Sequence, residues 1–283
     1  MKKLSLAVIV IIILALTFAF GADRMKVEEK EAIQKTLAFK DPTKPKEVIV
    51  DNIFGSIEVE GYSGQEVRVT AQKTIKARTK DKIRIARLEV TLDITEDGNT
   101  IDLYVNGPFR CENRKRGWRD PGYRVHYDFK LMIPHKTDVV LKTVTDGDIQ
   151  VTDIEGDFDV QNVNGKIEMT GMAGSGSAHT VNGRVRIQFS QNPAADCSFK
   201  TINGDIDIDF TKNLSADFRL KTFNGDAYSD FPIDYLPART AEKGRKNGKF
   251  IYKSDRFIGV RIDKGGPEIK MDTLNGDLLI NKR

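Results

Sequence analysis

The residues able to do chemistry are few. Three histidines, His126, His135 and His179, and two cysteines, Cys111 and Cys197, are the soft metal ligands of the chain, and no two share a metal-ligand spacing. Carboxylates are more regular: Asp205, Asp207 and Asp209 alternate with Ile206, Ile208 and Phe210. Such a stripe could serve acid/base hydrolysis of a glycan or hold a calcium ion, but alternation in a strand with one solvated face produces it too. Nine-residue glycine steps with aspartate suggest a calcium roll. Lys166 and Arg184, however, follow two of the turn glycines and would repel a hard cation. Nucleophile-elbow, phosphate-loop and dinucleotide patterns are absent from the sequence. The expectation is a protein with no catalytic residues, no metal site and no cofactor.

Two basic segments are better candidates for binding. Between Phe109 and Tyr123 lie Arg110, Arg114, Lys115, Arg116, Trp118 and Arg119. The second, from Pro237 to Arg256, carries Arg239, Lys243, Arg245, Lys246, Lys249, Lys253 and Arg256. Cationic tips beside an aromatic ring suit acidic polymers such as phosphate-bearing wall polymers or acidic glycans. The competing role for such residues is to solvate long loops and guard strand edges. Arg114, Lys115, Arg116 and Trp118 are the candidate polyanion contact. The whole chain, with 45 basic and 41 acidic residues and net charge +4, is too balanced for a dedicated nucleic-acid binder.

The scaffold for these residues is written in a repeated phrase. T-V-T-D-G-D-I at Thr143, N-V-N-G-K-I at Asn162 and T-V-N-G-R-V at Thr180 are followed by T-I-N-G-D-I at Thr201, T-F-N-G-D-A at Thr222 and T-L-N-G-D-L at Thr273. The turn glycines Gly147, Gly165, Gly183, Gly204, Gly225 and Gly276 are spaced 18, 18, 21, 21 and 51 residues apart, and weaker copies at Gly156 and Gly174 halve the first two steps. Asn-Gly tolerates positive φ, so the backbone turns there, and the period of two that follows is that of a strand with one buried face. One such strand cannot bury its apolar face alone. Stacked copies can, each rung covering the next. Ile202, Ile206, Ile208 and Phe210 are expected inward, and Asn164, Asn182, Asn203, Asn224 and Asn275 are expected to form a ladder along the stack. The reading is all-β: a single-stranded β-solenoid or β-roll of 18–21-residue coils. An antiparallel sandwich rich in Asn-Gly hairpins is the alternative.

Before the repeat, alternating segments at Val48–Val59, Val67–Thr74, Leu88–Ile94, Ile101–Val105 and Val125–Ile133 predict a hairpin-rich β portion. Residues 22–46 read as a charged lead-in in which Ala32–Phe39 leans helical, with a first strand as the alternative. Lys2 and Lys3 precede an apolar run of 17 residues, Leu4–Phe20, which reads as a signal peptide over 1–21. An uncleaved anchor is the other reading, since the run is at the lower limit for a span. Removing Lys2 and Lys3 lowers the net charge from +4 to +2. Residues 47–283 then form one repeat domain with insertions near 109–123 and 231–258. Export would permit a Cys111–Cys197 disulfide, though no framework spacing supports it.

The string D-F-K-L-M-I-P-H-K-T-D-V-V-L-K-T-V-T-D-G-D-I from Asp128, the opening D-N-I-F-G-S-I-E-V-E-G from Asp51 and the ending G-G-P-E-I-K-M-D-T-L-N-G-D-L-L-I from Gly265 together resemble the bacterial "putative adhesin" family. That resemblance covers roughly Val48 to the C-terminus. It implies a β-strand-repeat fold in exported or membrane-attached envelope proteins, sometimes linked with envelope-stress regulation, and no catalytic residues to carry over. The expected partner is an envelope protein or an acidic glycan. Nucleic acid is not expected, and a membrane is contacted only through the N-terminal segment. The oligomeric state is open. A carbohydrate-active enzyme on a β-helix and a calcium-stabilised secreted roll are the alternatives.

Overall fold

The computed structural model describes residues 25–41, 43–110, 120–237, 242–246, 249–253 and 257–283. The protein is all-β with one described helix, and most of its pairing is in long parallel sheets. It forms two compact units, one up to Gly165 and the other Lys166–Arg283.

The first unit contains β1 (Val27–Ala38), β2 (Glu47–Asp51), β3 (Ile57–Tyr62), β4 (Glu66–Ala77), α1 (Lys80–Glu89), β5 (Thr91–Asp97), β6 (Thr100–Asn106), β7 (Tyr123–Pro134), β8 (Asp138–Lys142), β9 (Ile149–Thr152) and β10 (Phe158–Gln161). Its strands are ordered β1-β4-β7-β3-β9 in one sheet and β10-β8-β2-β6-β5 in the other. The order is not that of the chain. β3 lies parallel between β7 and β9, and β2 lies parallel between β6 and β8. The opening coil β2–β3 is therefore inserted between two coils that come later in sequence.

Two sequence expectations fail in this unit. Ala32–Phe39 is not helical: β1 pairs antiparallel with β4 from Val27↔Ala77 to Ala38↔Glu66. The long alternating β4 would otherwise leave an edge of unpaired backbone groups, and pairing outweighs the weak helical preference of a charged segment. Leu88 is not in a strand either. Lys80–Glu89 is a helix whose N-cap Thr79 accepts a hydrogen bond from the Lys82 N–H at 3.3 Å, with Asp81 in the first turn and Arg87 in the last. Ile83, Ala86 and Val90 are buried, while Leu88 is left exposed. That i, i+3, i+7 spacing was the missed signal. Beneath the helix, the buried Lys73 ammonium donates to the Val90 carbonyl at 2.6 Å, and Arg87 donates to Glu29. Burial pushes the Lys73 ammonium below its ordinary pKa, with neighbouring Glu31 acting the other way.

The second unit contains β11 (Ile167–Met172), β12 (Gly176–His179), β13 (Val185–Phe189), β14 (Cys197–Lys200), β15 (Ile206–Phe210), β16 (Ala216–Lys221), β17 (Ala227–Ser229), β18 (Asp234–Tyr235), β19 (Glu242–Lys246), β20 (Lys249–Lys253), β21 (Ile258–Ile262), β22 (Glu268–Asp272) and β23 (Leu278–Lys282). One sheet runs β11-β13-β15-β23-β17 and the other β18-β21-β16-β22-β14-β12, while β19 and β20 form a separate hairpin. Here too the chain order is broken. The C-terminal coil β22–β23 is parallel to both neighbours and lies between β14–β15 and β16–β17.

Register puts like beside like. Val185, Ile206 and Leu278 align, as do Ile187, Ile208 and Ile280, and all six are buried. Phe210 stacks on Phe189 at 5.4 Å and meets Phe218 edge-on at 5.8 Å. Each side chain removed from water in this way contributes about 1.5–3 kcal/mol. Ile206, Ile208 and Phe210 thus point inward as expected. Ile202 does not, being 37% exposed at the corner, because the tight turn interrupts the alternation between Thr201 and Ile206. Cys197 is buried in β14, and Cys111 lies outside the described residues.

Candidate functional site: a cationic sheet face

The repeated corners act as clips between coils. The Thr201 hydroxyl donates to the Gly183 carbonyl at 2.9 Å, Thr273 to Gly204 at 3.0 Å and Thr222 to Gly276 at 3.0 Å. In the first unit Thr143 donates to the Gly55 carbonyl at 2.8 Å, and Asn162 does the same to Gly147 at 3.0 Å. Glycine is required where it receives the next coil. A Cβ on Gly204 would stand 2.1 Å from the Gly183 oxygen, and one on Gly276 2.0 Å from the Gly204 oxygen, with φ of +153° and +149°. Gly225 approaches the Gly276 oxygen in the same way, Gly147 approaches Gly55, and Gly165 approaches Gly147.

The expected asparagine ladder is present among Asn182, Asn203, Asn275 and Asn224, in an order set by the stack. Asn203 Nδ2 donates to Asn182 Oδ1, Asn275 Nδ2 to Asn203 Oδ1 and Asn224 Nδ2 to Asn275 Oδ1, each at 2.7 Å. These residues fix register and offer only amides to solvent.

The acidic stripe is not the solvated face that its alternation suggests. Asp207 is buried, accepting from Arg184, from Arg186 at 2.7 Å and from Asn281 at 2.6 Å. Asp209 accepts from Asn281 at 2.9 Å. The repeat brings basic residues of β13 and an amide of β23 alongside the carboxylates of β15. A carboxylate held by two guanidinium groups has little capacity left for a cation or a substrate proton.

Charge of the opposite sign gathers on the other sheet of the second unit. On β16, Arg219 and Lys221 share a face with Asp217, and on β22, Lys270 shares one with Glu268 and Asp272. The parallel register sets Arg219, Lys270, Ser198 and Ser177 in one row, and Lys221, Asp272, Lys200 and His179 in the next. Strands about 4.8 Å apart bring these groups within reach of a single extended ligand. Phe257, at the entrance to β21, draws three of the cations together. Its ring centroid lies 4.6 Å from Lys270 Nζ, 5.3 Å from Lys221 Nζ and 5.8 Å from Arg219 Cζ. Arg219 is buried, whereas Lys200 is exposed. Lys221 is paired with Asp272 at 3.1 Å, and among the described residues no carboxylate pairs with Lys270. At the margin Arg261 grips Asp217 through two bonds of 2.7 Å, holding that carboxyl below its ordinary pKa.

Sequence reasoning had placed the polyanion contact elsewhere. Arg114, Lys115, Arg116 and Trp118 lie outside the described residues. The second basic segment supplies the hairpin β19–β20 and leads into Phe257, but Arg219, Lys221, Lys200 and Lys270 were missed. They belong to three strands separated in sequence, and only the inserted position of β22 makes them neighbours. The histidines remain apart: His126 meets Asp146 at 3.1 Å, His135 the Asp153 carbonyl at 2.8 Å and His179 Ser198 at 3.4 Å. No group of three metal-ligating side chains occurs among the described residues.

No curated protein matches this chain. Among solved structures it is similar to a "putative cell adhesion protein" from Clostridium sporogenes ATCC 15579, with 11% identity and a TM-score of 0.44, over 90% of this chain and 100% of that one. It is also similar to a "putative lipid binding protein" from Parabacteroides distasonis ATCC 8503, with 9% identity and a TM-score of 0.28, over 89% and 96% of the two chains. The family model described as Toastrack DUF4097 matches residues 135–265, which hold five of the six repeated corners. That match falls on the stretch in which the Asn-Gly phrases recur, and over those residues the chain is similar to the Toastrack DUF4097 family, a domain of unknown function.

Proposed function

We propose that the protein is an exported, non-enzymatic component of the cell envelope, a β-solenoid of 18–21-residue coils that binds an acidic glycan on the cationic face of its second unit. The observation that carries this reading is the convergence of Arg219, Lys221 and Lys270 on Phe257, beside Lys200 and the hydroxyls of Ser177 and Ser198. Cations in register with hydroxyls offer ion pairs to carboxylates or sulfates and hydrogen bonds to sugar oxygens. The leader-like Leu4–Phe20 supports export. Engagement of Asp207 by Arg184 and Arg186 favours a binding role over hydrolysis or calcium binding.

The test is binding of the mature protein to immobilised polyuronate at low and high salt. Lys200→Ser with Lys270→Ser should weaken binding by about tenfold, and ~0.5 M NaCl should largely abolish it. Affinity that ignores both changes would overturn the reading. Arg114→Ser with Lys115→Ser and Arg116→Ser serves as a parallel arm, reporting whether the first basic segment contributes.

A further inference from the structure

Two courses are open to a polyanion on the cationic face, along one strand or across several, and the register separates them. Along β22 the side chains on this face are Glu268, Lys270 and Asp272, and along β16 they are Asp217, Arg219 and Lys221. A chain following β22 meets a carboxylate on each side of Lys270, and one following β16 begins on Asp217. Across the strands the order is different. β16, β22, β14 and β12 are successive parallel neighbours, and their register sets Arg219, Lys270, Ser198 and Ser177 in one line. That line contains no carboxylate.

The rows on either side give the line its borders. Toward the start of the strands lie Asp217, Glu268 and Asp196, whose carboxylate accepts the Glu268 N–H at 2.7 Å. On the other side Lys221, Lys200 and His179 accompany Asp272, which Lys221 meets at 3.1 Å. One border repels a polyanion and the other attracts it, so the band between them guides a chain across the coils. The line also changes character along its length. Arg219, Lys221 and Lys270 converge on Phe257 over β16 and β22, whereas β14 and β12 bring the half-buried hydroxyls of Ser198 and Ser177. Arg219 is buried and acts through its charge beneath the path.

Given the acidic-glycan reading, on which this step rests, we infer that the ligand is a linear glycan of at least four sugars lying across the coils. One sugar sits over each of β16, β22, β14 and β12, with its anionic groups needed over β16 and β22 and its hydroxyls met by Ser198 and Ser177. Four strands ~4.8 Å apart give a path of about 14 Å. A 1→4-linked uronate chain advances by about one strand spacing per sugar, so its repeat matches that of the coils. A single acidic sugar or a branched glycan leaves the far end of the path unfilled.

The experiment is calorimetric titration of the mature protein, at low salt, with oligogalacturonates of two, three, four and eight sugars. Affinity should rise by about tenfold or more from the two-sugar to the four-sugar ligand. Beyond four sugars it should grow only with the number of registers open to a longer chain. Ser177→Asp sets a carboxylate at the β12 end, about 14 Å from Arg219. It should weaken the four-sugar ligand by about tenfold and leave the two-sugar ligand within about twofold. Ser177→Ala, which adds no charge to the sheet, should show the same selectivity at about threefold. With polyuronate still bound, a two-sugar ligand as tight as the four-sugar one overturns the path across the coils, as does a Ser177→Asp variant that does not distinguish the two. A chain lying along β22 gives that result, because Ser177 is two strands away. Failure of every length, polyuronate included, overturns the glycan reading itself.

Discussion

Asn275 donates its side-chain amide to Oδ1 of Asn203 at 2.7 Å, although the two are 72 positions apart in the chain. Asn224, which follows Asn203 in the repeat, reaches that residue only through Asn275, to whose Oδ1 it donates at 2.7 Å. The closing coil is therefore wedged between two coils that are consecutive in sequence. Its backbone carries the same relation, the Gly204 N–H donating to the Asn275 carbonyl at 2.9 Å and the Gly276 N–H to the Asn224 carbonyl at 3.0 Å.

Within each corner the glycine should matter far more than the asparagine. Gly276→Ala forces a Cβ to 2.0 Å from the Gly204 oxygen at φ +149°, combining backbone strain with overpacking for a loss of about 3 kcal/mol or more. Asn275→Ala removes exposed side-chain hydrogen bonds worth about 0.5–1.5 kcal/mol each. Urea unfolding of the two variants checks the ranking. An alanine at 276 that melts like wild type would contradict the close approach.

Much of this architecture was legible in the T-x-N-G phrases, because one local signal served three purposes. Thr201 clips to the neighbouring coil, Asn203 extends the ladder and Gly204 admits the next carbonyl, so each phrase marks a corner wherever it lies in the stack. What the phrases do not encode is stacking order. T-I-N-G-D-I and T-L-N-G-D-L fit equally well against either neighbour, and the insertion of β22–β23 depends on the whole segment between Gly225 and Gly276. The cationic face was hidden for the same reason, since Lys270 meets Arg219 only after that insertion. Helix α1 was hidden differently: Ile83, Ala86 and Val90 lie beside Leu88, whose exposed apolar side chain mimics strand alternation.

The ion pair at the margin of the cationic face predicts an acid-dependent contribution to stability. Hydrogen bonding and charge from Arg261 hold the Asp217 carboxyl below its unfolded value, which is near 3.8. A carboxyl depressed on folding stabilises the fold above its unfolded pKa, and that contribution disappears as pH falls through the folded value. Asp217→Asn should therefore be less stable than wild type at neutral pH, and the two unfolding curves should converge from about pH 5 downward. A gap that stays constant to the acid limit would show that the pair is not responsible.

Asp207 is predicted to be structural. Arg184, Arg186 and Asn281 all donate to it, so Asp207→Ala removes the common acceptor of three side chains from the two neighbouring coils. A loss of about 2 kcal/mol is expected, moderated by the exposure of both arginines. Asp207→Asn should lose less, since it keeps an acceptor oxygen. Polyuronate binding per folded molecule should be unchanged in both, and a selective loss of binding would move the site to this sheet.

The wedged coil makes a last prediction about which parts of the chain depend on the C-terminus. Backbone N–H groups of Thr201, Gly204 and Ile206 donate to carbonyls of Asp272, Asn275 and Asp277 at 3.0, 2.9 and 2.9 Å, and Asp217 donates to Pro267 at 3.1 Å. Removing residues 266–283 takes away all of these acceptors and uncovers the edges of β14, β15 and β16. Coil β16–β17 cannot simply close the gap, because β16 is also held antiparallel to β21 from Ala216↔Ile262 to Leu220↔Ile258. Hydrogen exchange in the truncated protein should accelerate across Cys197–Phe210 and Ala216–Lys221, while β2, β3 and β8 in the first unit keep their protection. If β14 and β15 stay protected instead, coil β16–β17 has moved into the vacated position, and the order of coils is a choice made late in folding.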